Sequence, residues 1–162
     1  MPSVMSLFLR DLLFTLVVPA AGAVWLPWWV LTRFDPQAVP AAWPALAVIA
    51  LGAALYVWCV WMFAAVGGGT PGPWDAPRRV VAVGPYRWVR NPIYLAALLV
   101  VLGEAWLFLS LPLLLYAGMM AICFHLFVLG YEERTLRRRF GDTYLEYQRK
   151  VPRWLPHLPR RT

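Results

Sequence analysis

Charge is what this sequence has least of. Charged residues make up 14% of the 162, too few to cover the surface of a water-soluble domain of this size. Acidic residues number only eight, and Lys occurs once, at Lys150. Cysteine is scarce as well. Cys59 and Cys123 both sit inside apolar runs without CxxC or Cys/His spacing, which argues against a disulfide framework and a zinc site; they read as small packing residues, and no metal is expected. The glycines of residues 67–73 lack the GxGxxG spacing and the flanking strand and helix of a dinucleotide loop, so this stretch reads as a connector.

What fills the chain is apolar. Hydrophobic residues make up 61%, the mean hydropathy is +0.59, and there are ten Trp, a residue that favours the membrane–water interface. The fifteen Pro and eleven Gly are better tolerated in membrane helices than in a plain helical bundle in water. The net charge is +7, yet thirteen of the fifteen basic residues lie between Arg78 and Arg161. Positive charge between and after apolar spans marks cytoplasmic loops, where anionic lipid attracts it. No basic–aromatic module accompanies it, so nucleic acid is not expected as a partner.

The apolar runs set the architecture: an all-α integral membrane protein with four transmembrane helices and a short C-terminal amphipathic interfacial helix. The expected spans are residues 4–31, 41–66, 92–109 and 112–139, with the interfacial helix at 143–151, all in a single membrane domain of residues 1–162. Residues 12–31 are uncharged, enough to cross a hydrocarbon core of ~30 Å, with kinks expected at Pro19 and Pro27. A cleaved signal peptide is the competing reading, because Ala21-Gly22-Ala23 resembles a cleavage site; against it, Arg10 is offset by Asp11 and the apolar run continues past Ala23. Residues 32–40 read as a polar turn containing Arg33, Asp35 and Pro36. Residues 92–131 carry one formal charge, Glu104, and suit two crossings with a break near Ser110-Leu111-Pro112. Glu104 at membrane depth is a functional candidate, or a carboxyl pairing locally near the outer interface. The arginines place both termini and the 67–91 loop in the cytosol, in the plasma or inner membrane if the source is bacterial. Beyond the fourth span, Gly141 is expected to stop the helix. Thr143 with Glu146 has capping-box spacing for a new helix that turns Tyr144, Tyr147 and Val151 to one side.

Two segments at that membrane face hold most of the polar chemistry: Gly84-Pro85-Tyr86-Arg87-Trp88-Val89-Arg90-Asn91-Pro92-Ile93-Tyr94, and His125 followed by Glu132-Glu133. His125 and Glu132 are seven residues apart, two helical turns, and share a face of an α-helix. Pro92 fits the first turn of the third span. Arg90 and Asn91 then stand at the mouth of that helix, beside unpaired amides suited to a carboxylate or another anion. Glu132 and Glu133 can receive hydroxyls or an ammonium, so the two segments suit opposite ends of a zwitterionic, partly apolar ligand. Other roles are open: Glu132-Glu133 beside Arg134 and Arg137 as an interfacial ion-pair cluster, Arg87 and Trp88 as interface anchors, His125 as a packing residue, and Tyr144 and Tyr147 as docking residues of the surface helix.

GPYRWVRNPIY, a helical hairpin, and then YEERTLRRRFGDTYLEYQRKVPRWLP resemble the isoprenylcysteine carboxyl methyltransferase and phospholipid methyltransferase superfamily of integral membrane methyltransferases. The resemblance runs from Val80 to Pro156 and follows the family pattern G-x-Y-x-x-x-R-H-P-x-Y, apolar hairpin, Glu-Glu, FG and a Tyr-rich end. Asn91 departs from it, standing where the best-known members have His; Asn donates a hydrogen bond but carries no charge near neutral pH. The resemblance implies S-adenosylmethionine bound at the cytosolic end of the last helices by Gly84, Tyr86, Arg90, Asn91, Pro92, Tyr94, Glu132 and Glu133. It also implies a lipophilic acceptor entering from the bilayer, either the carboxylate of a prenylcysteine-like or other hydrophobic substrate or the amine of a phospholipid. If the acceptor must lose a proton, His125 or Glu132 is the expected catalytic base. The rival readings are a membrane reductase using a nicotinamide cofactor, a non-catalytic membrane scaffold subunit, and a transporter, for which four short helices leave little room.

Overall fold

A computed structural model of the protein describes residue 17 and residues 20–62, 65–66 and 80–156. The expectations about the start of the first helix, Pro19, Arg10, Arg78, Arg79 and the glycine connector at 67–73 lie outside the described residues.

The described part of the first apolar run is helical. It passes through a π turn, Ala21–Trp25, into α1, Leu26–Phe34. Pro27 occupies the first turn of α1 and has no N–H to return to a carbonyl four residues back. The ladder slips just before it, with the Leu26 amide reaching Ala21 O, so the expected distortion at Pro27 takes the form of a widened turn. The polar turn expected over residues 32–40 begins later than its composition suggests. Thr32 turns its hydroxyl onto Trp29 O at 3.0 Å, which satisfies it inside the helix, and α1 runs on through Arg33 to Phe34.

The second helix, α2, covers Ala45–Met62. Its expected start at residue 41 is displaced because the amides of Ala41 and Ala42 both donate to Leu107 O, at 2.9 and 3.2 Å, tying this segment to the end of the next helix instead of to its own. α3 is Pro92–Leu107, with Pro92 in its first turn as expected. α2 and α3 form the closest helix pair because each offers a glycine to the other. A Cβ on Gly52 would stand 2.9 Å from Ala96 O and Val100 N; one on Gly103 would stand 2.6 Å from Ile49 Cγ1. Small residues of this kind let two membrane helices bring their backbones together.

The hairpin between α3 and α4, Leu111–Phe127, turns at residues 108–110, where Leu109 takes φ 49° and the Ser110 amide donates to Ala105 O at 3.0 Å. α4 passes through a second π turn, Val128–Glu132, into α5, Glu133–Phe140. Gly141, at φ 53°, ends α5 as expected and leads straight into α6, Asp142–Lys150. The Thr143/Glu146 capping box is not formed. α6 begins one residue earlier, at Asp142, its N-cap position is taken by Gly141, and no side chain caps it.

No strand occurs among the described residues. Two helices among the described residues are long and apolar enough to cross a membrane, Ala45–Met62 and the continuous Leu111–Phe140, each with a window of mean hydropathy 2.1. Only 17% of either window is buried inside the protein. A core helix of a soluble domain would hide its apolar faces, whereas Leu51, Val57, Trp61, Leu115, Ile122 and Leu126 here stand outward, as suits a surface solvated by lipid.

Candidate functional site

The 80–91 loop is shaped by two requirements. Gly84 has φ +56°, a conformation that favours glycine, and a Cβ there would also press on Met62 and Trp58. It opens a 3-10 turn, Gly84–Arg87, which drives Tyr86 into a buried cluster with Cys59 of α2 and Val81. Burial, with the Cys59 thiol beside it, raises the Tyr86 hydroxyl well above its ordinary pKa. From the other side Tyr147 Oη donates to Tyr86 O at 2.6 Å, and Tyr144 is buried. Both tyrosines therefore dock α6 onto the loop.

Arg90 and Glu133, taken from the two sequence segments, meet. Arg90 Nη1 lies 3.1 Å from Glu133 Oε1, with their side chains 9% and 6% exposed. Glu133 is held more closely from the chain that follows α6. Arg153 Nε donates to Glu133 Oε1 at 2.7 Å and its Nη2 to Oε2 at 3.1 Å, a two-pronged guanidinium–carboxylate pair. The hydrogen bond to Glu133 raises the Arg153 pKa further. Arg137 approaches the same carboxylate from one turn along α5, at 3.7 Å and half exposed. Asn91 leaves the amides of α3 uncapped and turns its Nδ2 to Arg153 O at 3.2 Å, while the Arg90 amide donates to Pro152 O at 2.9 Å.

Glu132, next to Glu133, faces a different neighbour: Tyr94 Oη donates to its Oε2 at 2.7 Å. His125 does not join this pair along a common face. The π turn at Val128–Glu132 inserts a residue into the helical repeat and rotates the helix beyond it by roughly 100°, so seven residues no longer amount to two clean turns. His125 is exposed, and its Nδ1 accepts a hydrogen bond from Trp154 Nε1 at 3.0 Å. Trp154 also stacks obliquely near Tyr94, their ring centres 6.4 Å apart, and so stands between His125 and the Tyr94–Glu132 pair.

Tyr86, Arg90, Asn91, Glu132, Tyr144 and Tyr147 line a cavity of about 50 Å³. Arg90 Nε is buried and has no hydrogen-bond partner among the described residues, which leaves a donor of a charged group unsatisfied. The Tyr144 hydroxyl, against the Arg90 guanidinium, is pushed up to about 12, first by burial and then by the Glu133 carboxylate, with Arg90 opposing.

The structure therefore brings together Tyr86, Arg90, Asn91, Tyr94, Glu132 and Glu133, with Gly84 shaping the loop and Pro92 starting α3. Glu104 lies apart, in the last turn of α3, roughly 18 Å from Pro92 along the helix axis, so it does not join this cluster. Its Oε2 is buried without a hydrogen-bond partner among the described residues. Arg153 and Trp154 escaped sequence reasoning as contact-making residues. Their one local signal is the Val-Pro-Arg-Trp-Leu-Pro stretch, whose two prolines stop α6 from continuing and turn the chain back toward the loop.

A family model described as phospholipid methyltransferase matches residues 41–143, more than half of the chain and the whole stretch from Gly84 to Glu133. No curated protein and no solved structure matches. Apolar helices that expose their faces, polar loop and helix ends gathered at one end, and a match that spans both lead to one conclusion: the chain belongs to the phospholipid methyltransferase family of membrane proteins.

Proposed function

We propose that the protein transfers a methyl group from S-adenosylmethionine to a lipophilic acceptor at the cytosolic membrane face. The observation that carries this reading is the 3.1 Å pairing of Arg90 of the loop with Glu133 of the last long helix, beside a cavity lined by Arg90, Asn91 and Glu132, inside the stretch that the family model matches. An adenosyl-sulfonium amino acid offers hydroxyls and an ammonium to carboxylates and a carboxylate to a guanidinium. The donor set suits it in kind, and Arg90 Nε is a buried donor still lacking an acceptor. In space the fit fails as the chain now lies. The cavity of about 50 Å³ is far below the ~300–1,000 Å³ typical of sites for molecules of this class.

When bound, the cofactor supplies an activated methyl group for in-line displacement. The chain's own part is to position the two partners and keep water out. The family match favours an amine-bearing phospholipid over a prenylcysteine-like carboxylate as acceptor, and an amine must lose a proton. Glu132, held by Tyr94 Oη at 2.7 Å, is the side chain suited to take it. His125, whose Nδ1 accepts the Trp154 hydrogen bond as the chain now lies, is the second candidate. Four helices of one domain cross the membrane, with both termini and the site in the cytosol.

The test is calorimetric binding of S-adenosylmethionine and S-adenosylhomocysteine to protein in lipid nanodiscs, followed by transfer of a labelled methyl group to phosphatidylethanolamine or to a prenylcysteine analogue. Binding with label in the phospholipid supports the amine reading, and label in the analogue supports the carboxylate. A well-folded protein that binds neither cofactor form would overturn both and favour the scaffold role.

A further inference from the structure

Residues 151–156 follow α6 without regular secondary structure. Val151 is buried at 7% exposure, Pro152, Arg153 and Trp154 are half-buried, and Leu155 is 80% exposed. Its polar contacts fall on the candidate site. Pro152 O takes the Arg90 amide, Arg153 O takes Asn91 Nδ2, the Arg153 guanidinium takes both oxygens of Glu133, and Trp154 Nε1 reaches His125 Nδ1. Each contact engages a group that the sequence assigns to ligand or chemistry, or its near neighbour. Two of the groups so engaged, Arg90 and Asn91, also line the cavity of about 50 Å³.

From this geometry we propose that residues 151–156 are a strap that holds the cofactor site shut, with Arg153 standing on Glu133 in the place of the cofactor's cationic end. The proposal rests on the reading of the site as a cofactor site. A guanidinium on a buried carboxylate is a chemical stand-in for an ammonium, and the Asn91 amide, now given to a carbonyl of the strap, is a donor that a ligand oxygen can take instead. The strap is tied by exchangeable polar bonds, each of modest net strength against alternatives that satisfy the same groups. Opening it frees Asn91 and removes from Glu133 the closest of its three guanidiniums, leaving Arg90 and Arg137, and the Arg90 amide loses its acceptor in the same movement. A ligand that binds only the open form then binds more weakly than its intrinsic affinity, by the fraction of molecules open.

The experiment compares S-adenosylhomocysteine binding to the full chain in nanodiscs for wild type, Arg153→Gln and Trp154→Phe, together with hydrogen exchange at the Arg90 amide. Trp154→Phe loosens the strap from its far end without touching Glu133, so it serves if Arg153→Gln fails to fold. The strap predicts that both variants bind at least roughly five-fold more tightly than wild type, because more molecules are open. It also predicts that the ligand speeds exchange at the Arg90 amide in the wild type. Weaker binding in Arg153→Gln with unchanged binding in Trp154→Phe would make Arg153 a direct ligand contact and overturn the strap. Tight wild-type binding with no change at the Arg90 amide would overturn it equally. If the wild type and both variants are folded and none binds, the cofactor reading itself fails and the strap fails with it.

Discussion

Arg153 and Glu133, twenty residues apart, share two hydrogen bonds of 2.7 and 3.1 Å. This pair, with Arg90 behind it, ties the C-terminal segment, the last long helix and the loop before α3 into one unit.

Removing the shared carboxylate leaves Arg90 buried without its counter-charge. Glu133→Gln is expected to destabilise the protein by ~3–5 kcal/mol, the range for breaking a buried pair from one side. Arg137→Ala, which removes a half-exposed guanidinium 3.7 Å away, is expected to cost no more than about 0.5 kcal/mol. Unfolding in mixed micelles measures both; equal losses would contradict this division of roles.

The close approach of α2 and α3 depends on glycine at two positions. Gly52→Ala forces a methyl group to within 2.9 Å of Ala96 O and Val100 N, backbone atoms that cannot step aside, and is expected to cost about 1–3 kcal/mol. Gly118→Ala meets nothing within 4 Å and is expected to be neutral or slightly stabilising through helix propensity. Thermal stability of the two variants side by side checks the contrast.

Alkali should undock α6. The Tyr144 pKa is raised to about 12 by burial, with Glu133 adding to it, and Tyr147 is raised as well, by burial and then by Tyr144. A folded pKa above the unfolded value of about 10 contributes stability that is complete below pH ~10 and is lost as pH rises through the folded value. Tyrosinate absorbance should therefore lag in the native protein and rise together with hydrogen exchange in α6 above pH ~10. Tyr144→Phe should remove part of that alkaline step while leaving α6 docked at neutral pH.

The proposed four-crossing arrangement places Asp35, after α1, and Asp142, at the start of α6, on opposite sides of the membrane. With Cys59 and Cys123 replaced, a membrane-impermeant maleimide should reach Asp35→Cys from outside intact cells and Asp142→Cys only after permeabilisation. Labelling of both from one side would require a different number of crossings.

Much of the helix plan was legible because each part of it is a local property. Unbroken apolar runs announce α2 and α4, Pro92 marks the start of α3, the Ser110–Pro112 stretch marks the hairpin, and Gly141 marks the end of α5. The boundaries that shifted did so through single contacts. Thr32 bonds back to Trp29 O and prolongs α1, while Ala41 and Ala42 bond to Leu107 O and delay α2. Neither bond leaves a signature in hydropathy.

The candidate site divides along the same line. Residue types and their spacing were enough to mark Arg90, Asn91, Tyr94, Glu132 and Glu133 as one polar neighbourhood, because charge in an apolar chain is rare and its position conspicuous. Which carboxylate meets which partner was settled only by the folded chain. A π turn rotates Glu132 toward Tyr94 and away from the repeat that joins it to His125, and the chain after α6 returns to lay Arg153 on Glu133. Hydrophobic patterning acts over one or two helical turns and can be read from sequence alone. Pairing between groups tens of residues apart depends on where the backbone turns back, and that is decided by tertiary structure.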